Sequence, residues 1–153
     1  MRRTWVSLAL VALAVLAFAS GGYAEHEGHA AAFDACAKAC SDCQRSCDSC
    51  ANHCSHLVAE GKKEHLKTLQ TCQDCATHCA AASAITARQG PFADLICTAC
   101  AEACVRCGKE CDKFPEDKHM KACAQECKKC EKACREMLTH TGKPTTGKAT
   151  TSR

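Results

Sequence analysis

The sequence has few of the residues that usually build a protein core. Only 4% of its 153 residues are aromatic, with one Trp, one Tyr and four Phe. Ordinary apolar residues are sparse between Cys36 and Cys134. A core of Leu, Ile and Phe would be too thin to hold this fold. Metal binding or disulfide bonds must therefore contribute to its stability.

The chain also lacks a strong charge of either sign. Its formal net charge is +3, which is too small to indicate binding to nucleic acid. Lys and Arg are interspersed with Asp and Glu, as on a solvated helix surface. Neither an acid–base pair nor a nucleophile stands apart from the cysteines, so we expect no enzyme and no nucleic-acid partner.

Long apolar runs are missing except near the N-terminus. Arg2 and Arg3 precede the run VSLALVALAVLAFA, which is short for a membrane span. Small residues ending in GGYA follow, as before a signal-peptide cleavage site. We therefore predict a signal peptide over residues 1–24, although a membrane anchor is a less favoured alternative. Its arginine pair loosely resembles a twin-arginine signal, and Sec export stays open. The protein is expected to be exported, periplasmic or extracytoplasmic, without membrane contact after cleavage.

Cysteine is abundant and strictly spaced. The chain has 18 cysteines, and six of them lie in the stretch CAKACSDCQRSCDSCANHC, at alternating steps of four and three residues. On a helix this spacing places all six within an arc of about 80°. They then form a line roughly 27 Å long. Leucine at the same positions would bury more apolar area, so the pattern indicates sulfur chemistry.

The same spacing occurs in four segments, which we place at residues 30–59, 63–88, 91–112 and 116–140. Gly61, the run Gln89-Gly90-Pro91, and Phe114-Pro115 separate them. Because the connections are short, neighbouring helices should be antiparallel. We predict an all-α fold, an antiparallel up-down-up-down four-helix bundle with a cysteine-lined core, over residues 25–140. Residues 141–153 are Thr- and Gly-rich and are predicted to be a disordered tail.

The thiols are best explained as ligands for many Cu(I) ions. Cu(I) is soft and prefers thiolate, and one Cu(I) per thiolate gives a neutral core. Zinc bound by four thiolates would instead bury two negative charges. The predicted ligands are Cys36, Cys40, Cys43, Cys47, Cys50, Cys54, Cys72, Cys75, Cys79, Cys97, Cys100, Cys104, Cys107, Cys111, Cys123, Cys127, Cys130 and Cys134.

Two alternatives stay open. An exported chain with an even number of cysteines could be a disulfide-stapled structural or binding module. However, partners three or four residues apart on one helix are poorly oriented for a relaxed bond. An iron–sulfur or redox carrier is the other alternative, although such clusters normally need few cysteines.

These four cysteine stripes, from Cys36 to Cys134, resemble those of the copper storage proteins, a family of cysteine-lined four-helix bundles. The resemblance implies that many Cu(I) ions line a preformed bundle. It also implies assembly as a homotetramer. A copper chaperone or a client copper enzyme is the implied partner, and both storage for a client and detoxification agree with this reading.

Other residues are expected to gather at the two ends of the bundle. His119 and Met120 lie four and three residues before Cys123, and we predict that both continue the inward stripe and bind copper. His65 lies in phase with Cys72. His53 and His78 should point to the side of the stripe, where they lie on the surface or make hydrogen bonds between helices. The entrance should be formed by His65, His119, Met120, Leu57, Val58, Leu69 and Phe114. The opposite end should be an apolar plug of Phe33, Ile85, Phe92, Leu95, Ile96, Met137 and Leu138.

Overall fold

The structure, a computed structural model, describes the backbone of residues 3–141 and the side chains of residues 28–141. Within this part the chain is helical, without a strand. The elements are α1 (Arg3–Ala59), a short 3₁₀ helix (Lys63–His65), α2 (Leu66–Ala87), α3 (Ala93–Cys111) and α4 (Lys118–Thr139). The predicted all-α class is confirmed. The predicted disordered tail, residues 141–153, lies outside the described residues except for Thr141.

The chain divides into two compact units, residues 1–31 and residues 32–153, and every cysteine belongs to the second. We had expected the first helix to begin near residue 30, whereas α1 begins at Arg3. Residues 3–24 are rich in Ala and Leu, which are strong helix formers. The predicted cleavage after Ala24 stays a prediction. No helix among the described residues is both long and apolar enough to cross a membrane.

Contacts between thiols define the topology of the second unit. The Sγ atom of Cys36, early in the thiol stripe of α1, lies 3.7 Å from that of Cys134, near the end of α4. Farther along α1, Cys47 lies 3.7 Å from Cys123, near the start of α4. These two helices are therefore antiparallel. The thiols of α2 and α3 pair in the same antiparallel sense, so the up-down-up-down four-helix bundle is confirmed.

Hydrogen bonds at the helix ends account for the sharp turns. Gly61 adopts a φ of 90°, and its N–H donates to the carbonyl of Val58. The next N–H, of Lys62, donates to Leu57. This is the Schellman arrangement that ends a helix, and it favours glycine at the residue with positive φ. At the end of α2 the positive φ, 51°, falls on Gln89.

Thiols and small side chains make up most of the core. Apart from sulfur, the interior of α1 to α4 contains Ala51, Ala76, Ala82, Ala93, Ala101 and Ala124, all at most 5% exposed. The larger buried apolar side chains are Phe33, Met120, Met137 and Leu138, toward the ends of the thiol array. Alanine lets the helices approach closely, so sulfur atoms from different helices come into contact.

The expected apolar plug is only partly formed. Phe33, Met137 and Leu138 are buried, but Phe92 and Leu95 are 64% and 63% exposed. Their inclusion in the plug was wrong. Both residues are out of phase with the stripe of α3, since Leu95 precedes Cys97 by two residues, or about 200° around a helix. Ala93 occupies the inward position instead and is 2% exposed.

Candidate metal centre

All the cysteines lie inside the bundle as free thiols. Cys75 and Cys104 are each 1% exposed, and every other cysteine is 0% exposed. Neighbouring Sγ atoms lie 3.6 to 4.0 Å apart, whereas a disulfide bond needs about 2.05 Å. The predicted cysteine stripes therefore meet as one continuous sulfur array, in contact but not bonded.

The sulfur atoms form overlapping groups of four. In each group the Sγ atoms lie within 4.8 Å of one another. The groups include Cys40/Cys100/Cys130/Cys134, Cys43/Cys79/Cys104/Cys130, Cys43/Cys47/Cys75/Cys127, Cys47/Cys107/Cys123/Cys127 and Cys50/Cys72/Cys111/Cys123. Each group shares at least one cysteine with the next. We call this series the thiol ladder. Shared sulfurs suit metal ions that accept bridging thiolates, rather than separate tetrahedral sites.

Burial and hydrogen bonding control the protonation of the ladder. Burial raises the pKa of the Cys54 thiol from 9.0 to about 12. Hydrogen bonds with Cys107 and Cys123 raise the pKa of Cys47 above its usual range. By contrast, hydrogen bonds with Cys107 and Cys111 lower the pKa of Cys123. A thiol such as that of Cys54 is therefore neutral near pH 7, and a metal ion that binds it must displace a proton.

One end of the ladder, which we call the mouth, contains the end of α1, the start of α2, the end of α3 and the start of α4. Met120 is fully buried there, and His65 is 8% exposed. The burial of Met120 agrees with the predicted inward stripe. His65 Nδ1 and Thr68 Oγ1 are buried without a hydrogen-bond partner among the described residues. Leaving such an atom unsatisfied costs about 1–3 kcal/mol, so the mouth has polar atoms ready to accept a ligand.

The structure places His119 differently from the sequence prediction. Its side chain is exposed, so the expectation that it continues the inward stripe was wrong. The His119 ring stacks on that of His53, with centroids 4.3 Å apart. His53 Nε2 in turn lies 2.7 Å from Asp117 Oδ2. His119 lies in the first turn of α4, so no preceding turn of that helix packs against its side chain. Its ring packs on His53 of α1 instead.

Asp117 holds the start of α4 in place. Its Oδ1 accepts hydrogen bonds from the backbone N–H groups of His119 and Met120, at 2.9 and 3.1 Å. This is an N-cap, and the contact with His53 ties it to α1. Burial opposes ionisation of Asp117, but the hydrogen bonds from His53 and from the backbone N–H groups of Met120 and His119 together lower its pKa. The cap therefore fixes the position of Met120 at the mouth.

Two features of the mouth had no adequate signal in the sequence. Thr68 continues the stripe of α2 four residues before Cys72, where a cysteine would fit the spacing. A threonine at that position gives no indication that its hydroxyl is unsatisfied. His53 makes a hydrogen bond between helices, but its partner Asp117 lies 64 positions away, beyond any helical repeat that could have identified it. His65, by contrast, carries a sequence signal, since it lies seven residues before Cys72 and in phase with it.

Comparison with known proteins identifies similar folds. A family model described as Csp, copper storage protein, matches residues 29–139. A cytosolic copper storage protein from Streptomyces lividans with five coppers is 30% identical, covering 74% of this chain and 97% of that chain, with a TM-score of 0.68. Apo copper storage protein 3 from Bacillus subtilis is 35% identical, covering 68% and 96%, with a TM-score of 0.58. The Cu(I)-bound copper storage protein BsCsp3 is 33% identical, covering 70% and 98%, with a TM-score of 0.64. No curated protein sequence matches this chain.

Proposed function

Because the chain belongs to the copper storage protein family, we propose that its thiol ladder stores Cu(I) at high capacity, near one ion per cysteine. The observation that carries this proposal is the sharing of cysteines between successive groups of four. A shared thiolate can bridge two Cu(I) ions, so the ions can follow one another along the core. The role is storage or sequestration, without catalysis.

Charge decides between copper and zinc. One Cu(I) per thiolate leaves the filled core neutral, whereas zinc with four thiolates carries two negative charges. Uncompensated charge in a buried site is costly. Alanine is the commonest buried residue beside the thiols, and no Lys or Arg of residues 28–141 is buried. Several of these cations make ion pairs on the surface, as Arg106 does with Glu102. The core therefore favours Cu(I).

The alternatives fit the structure less well. A disulfide-stapled module needs sulfurs in bonded pairs, but most described thiols have several sulfur neighbours at similar distances, as Cys36 has with Cys40, Cys97 and Cys134. An iron–sulfur carrier needs a discrete cluster with its own set of ligands. The overlapping groups instead suit a metal that accepts any adjacent pair or triplet of thiolates.

We further propose that the protein is exported to the periplasm or another extracytoplasmic space. The arginine pair and the apolar run of residues 1–24 support a cleaved signal peptide. A homotetramer is proposed from the family resemblance, and the exposure of Phe92 and Leu95 supports an apolar contact between copies. A copper chaperone or a client copper enzyme is the proposed exchange partner.

Protein isolated from copper-fed cells tests this function. We expect a colourless protein in the extracytoplasmic fraction that contains many copper ions and begins at Glu25. Removal of copper by a strong chelator under anaerobic conditions should release a full set of free thiols. Metal analysis measures the copper content, thiol titration measures the free thiols, and mass spectrometry identifies the N-terminal residue. Light scattering tests the proposed homotetramer. A copper-free protein without titratable thiols would instead support the disulfide module, and visible absorbance would support an iron–sulfur carrier.

The mouth is proposed as the entrance for copper. Imidazole and thioether groups bind Cu(I) less tightly than bridging thiolates, so they can accept an ion and pass it inward. Met120 and the unsatisfied Nδ1 of His65 are buried where the ladder begins. His119 lies outside them on the surface, where it can receive an ion first. These residues are proposed as transfer ligands rather than storage ligands.

We predict that replacing His119 by Ala together with Met120 by Leu slows loading several-fold but leaves copper capacity almost unchanged. The storage thiolates remain, so only the transfer step loses its ligands. Stopped-flow measurement of uptake from a buffered Cu(I) donor gives the rate, and metal analysis gives the capacity.

Met137→Leu is the matched control, because Met137 is also fully buried and also on α4, but at the opposite end. It should load at the parent rate. If Met137→Leu slows loading and the double variant does not, the entrance is at the Met137 end. A loss of several ions from the double variant would make His119 and Met120 storage ligands.

A further inference from the structure

A groove on the side of the bundle reaches the middle of the thiol ladder. It lies between α2 and α3, and we call it the side groove. Its volume is about 390 Å³, and its lining includes Cys75, Ala99 and Ala103 together with Asp74, His78 and Glu102. The alanines leave space where larger side chains would close the contact between the helices. The groove is distinct from the mouth, since none of the mouth residues lines it.

One cysteine, Cys75, lines this groove. Cys75 and Cys104 are each 1% exposed, while all other cysteines are 0% exposed. Their Sγ atoms lie 3.8 Å apart. Cys75 also belongs to the central group with Cys43, Cys47 and Cys127. A ligand in the side groove would thus reach Cys75, in the centre of the thiol ladder, without first passing the groups of cysteines nearer the mouth.

The edge of the groove contains groups that attract a cation. His78 lies three residues after Cys75, on the same side of α2, and supplies an imidazole. Asp74 and Glu102 supply carboxylates, although Glu102 is paired with Arg106 at 2.9 Å. Imidazole binds Cu(I) more weakly than bridging thiolates do. His78 can therefore hold an ion briefly on its way between the core and solution.

A second groove shows that small residues alone do not give access to sulfur. It lies between α1 and α4, has a volume of about 550 Å³, and is lined by Ala35, Ala39 and charged residues such as Lys38 and Asp42. No cysteine lines it. A third groove touches Cys50 but is also lined by His119, so it belongs to the mouth. Of these three grooves, the side groove is the one that approaches the central thiols from the side of the bundle.

We propose that the side groove is a second port, at which Cu(I) is exchanged between Cys75 and a small thiol ligand in solution. This proposal rests on the function proposed above. The exchange involves no change of oxidation state. The incoming thiol loses its proton as its sulfur binds Cu(I). The bond from copper to Cys75 breaks, and the Cys75 sulfur takes up a proton. His78 helps to hold the ion while the two sulfurs exchange.

Labelling of the metal-free protein tests whether the port exists. Under native reducing conditions, brief treatment with N-ethylmaleimide followed by peptide mass spectrometry gives the order in which the cysteines react. We expect Cys75 to react about tenfold faster than Cys43 and Cys127 of the same group, because reaction requires access. Equal rates for these three cysteines would overturn the proposal, and this measurement needs no variant.

The variant Ala99→Leu should close the port. The leucine would project into the side groove from an exposed position, so the core is not overpacked. We expect slower labelling of Cys75 and slower release of copper from the loaded protein to excess glutathione, each by about tenfold. Loss of the ultraviolet thiolate-to-copper band measures the release. Ala35→Leu, which also replaces an exposed alanine in a groove, is the matched control and should behave as the parent.

The outcomes separate this proposal from that of copper storage. If the parent protein binds few Cu(I) ions but Cys75 still reacts first, the storage function fails and the accessible groove remains. If capacity is normal but Ala99→Leu and Ala35→Leu release copper at the same rate, the port is refuted and the store is unaffected. Circular dichroism and copper capacity equal to those of the parent show that each variant is folded.

Discussion

Anaerobic titration of the reduced protein with Cu(I) is expected to saturate near 18 ions per chain, one for each cysteine. The reason is electrostatic. Each thiolate in the buried ladder needs one positive charge, and one Cu(I) supplies it. Two or three sulfurs can bind each ion if each sulfur bridges neighbouring ions, and the overlapping groups of four provide such neighbours. Growth of the ultraviolet thiolate-to-copper band and metal analysis measure the endpoint.

The same titration should release protons. Burial raises the pKa of Cys54 to about 12, so its thiol is protonated near pH 7 and must lose the proton to bind copper. The apparent affinity should therefore fall as the pH is lowered. Zinc serves as the matched metal control. Saturation at four or five metal ions, with zinc competing equally, would contradict the continuous store and favour separate tetrahedral sites.

The repeat made the interior of the bundle predictable. Steps of three and four residues place cysteines on one face of a helix, and this rule holds from Cys36 to Cys134, all of which are buried. The rule also found Met120, three residues before Cys123. It depends only on local helical geometry, which each segment satisfies independently of its neighbours.

Predictions failed where local geometry does not decide the position of a side chain. His119 is only one residue from Met120, yet it lies on the surface against His53. Phe92 was expected in the apolar plug, but it precedes the first residue of α3 and is 64% exposed. The side groove was not predicted either, because it depends on which side chains of α2 face Ala99 and Ala103 of α3. These features require the packing of the whole bundle.

We predict that the reduced, metal-free protein is helical and folded but only moderately stable, and that Cu(I) raises its melting temperature by tens of degrees. Its helices have strong caps, at Gly61 and Asp117, and neutral thiols pack as small hydrophobic groups. However, few large apolar side chains are buried. A ligand that binds only the folded state at 100 times its Kd adds about 2.7 kcal/mol per site. Each 1 kcal/mol raises the Tm of a domain of this size by about 2–8 °C.

Circular dichroism during heating, with and without stoichiometric Cu(I), measures both parts of this prediction. Zn(II) under the same conditions is the control, and it should stabilise less because tetrathiolate zinc leaves buried negative charge. A random-coil spectrum for the reduced apo protein would contradict a preformed bundle. It would show that this chain, like a zinc finger, needs metal to fold. A helical apo form whose Tm is unchanged by Cu(I) would instead show that copper does not stabilise the folded bundle. The ladder would then not be the site where copper binds, because binding to the folded state alone must stabilise it.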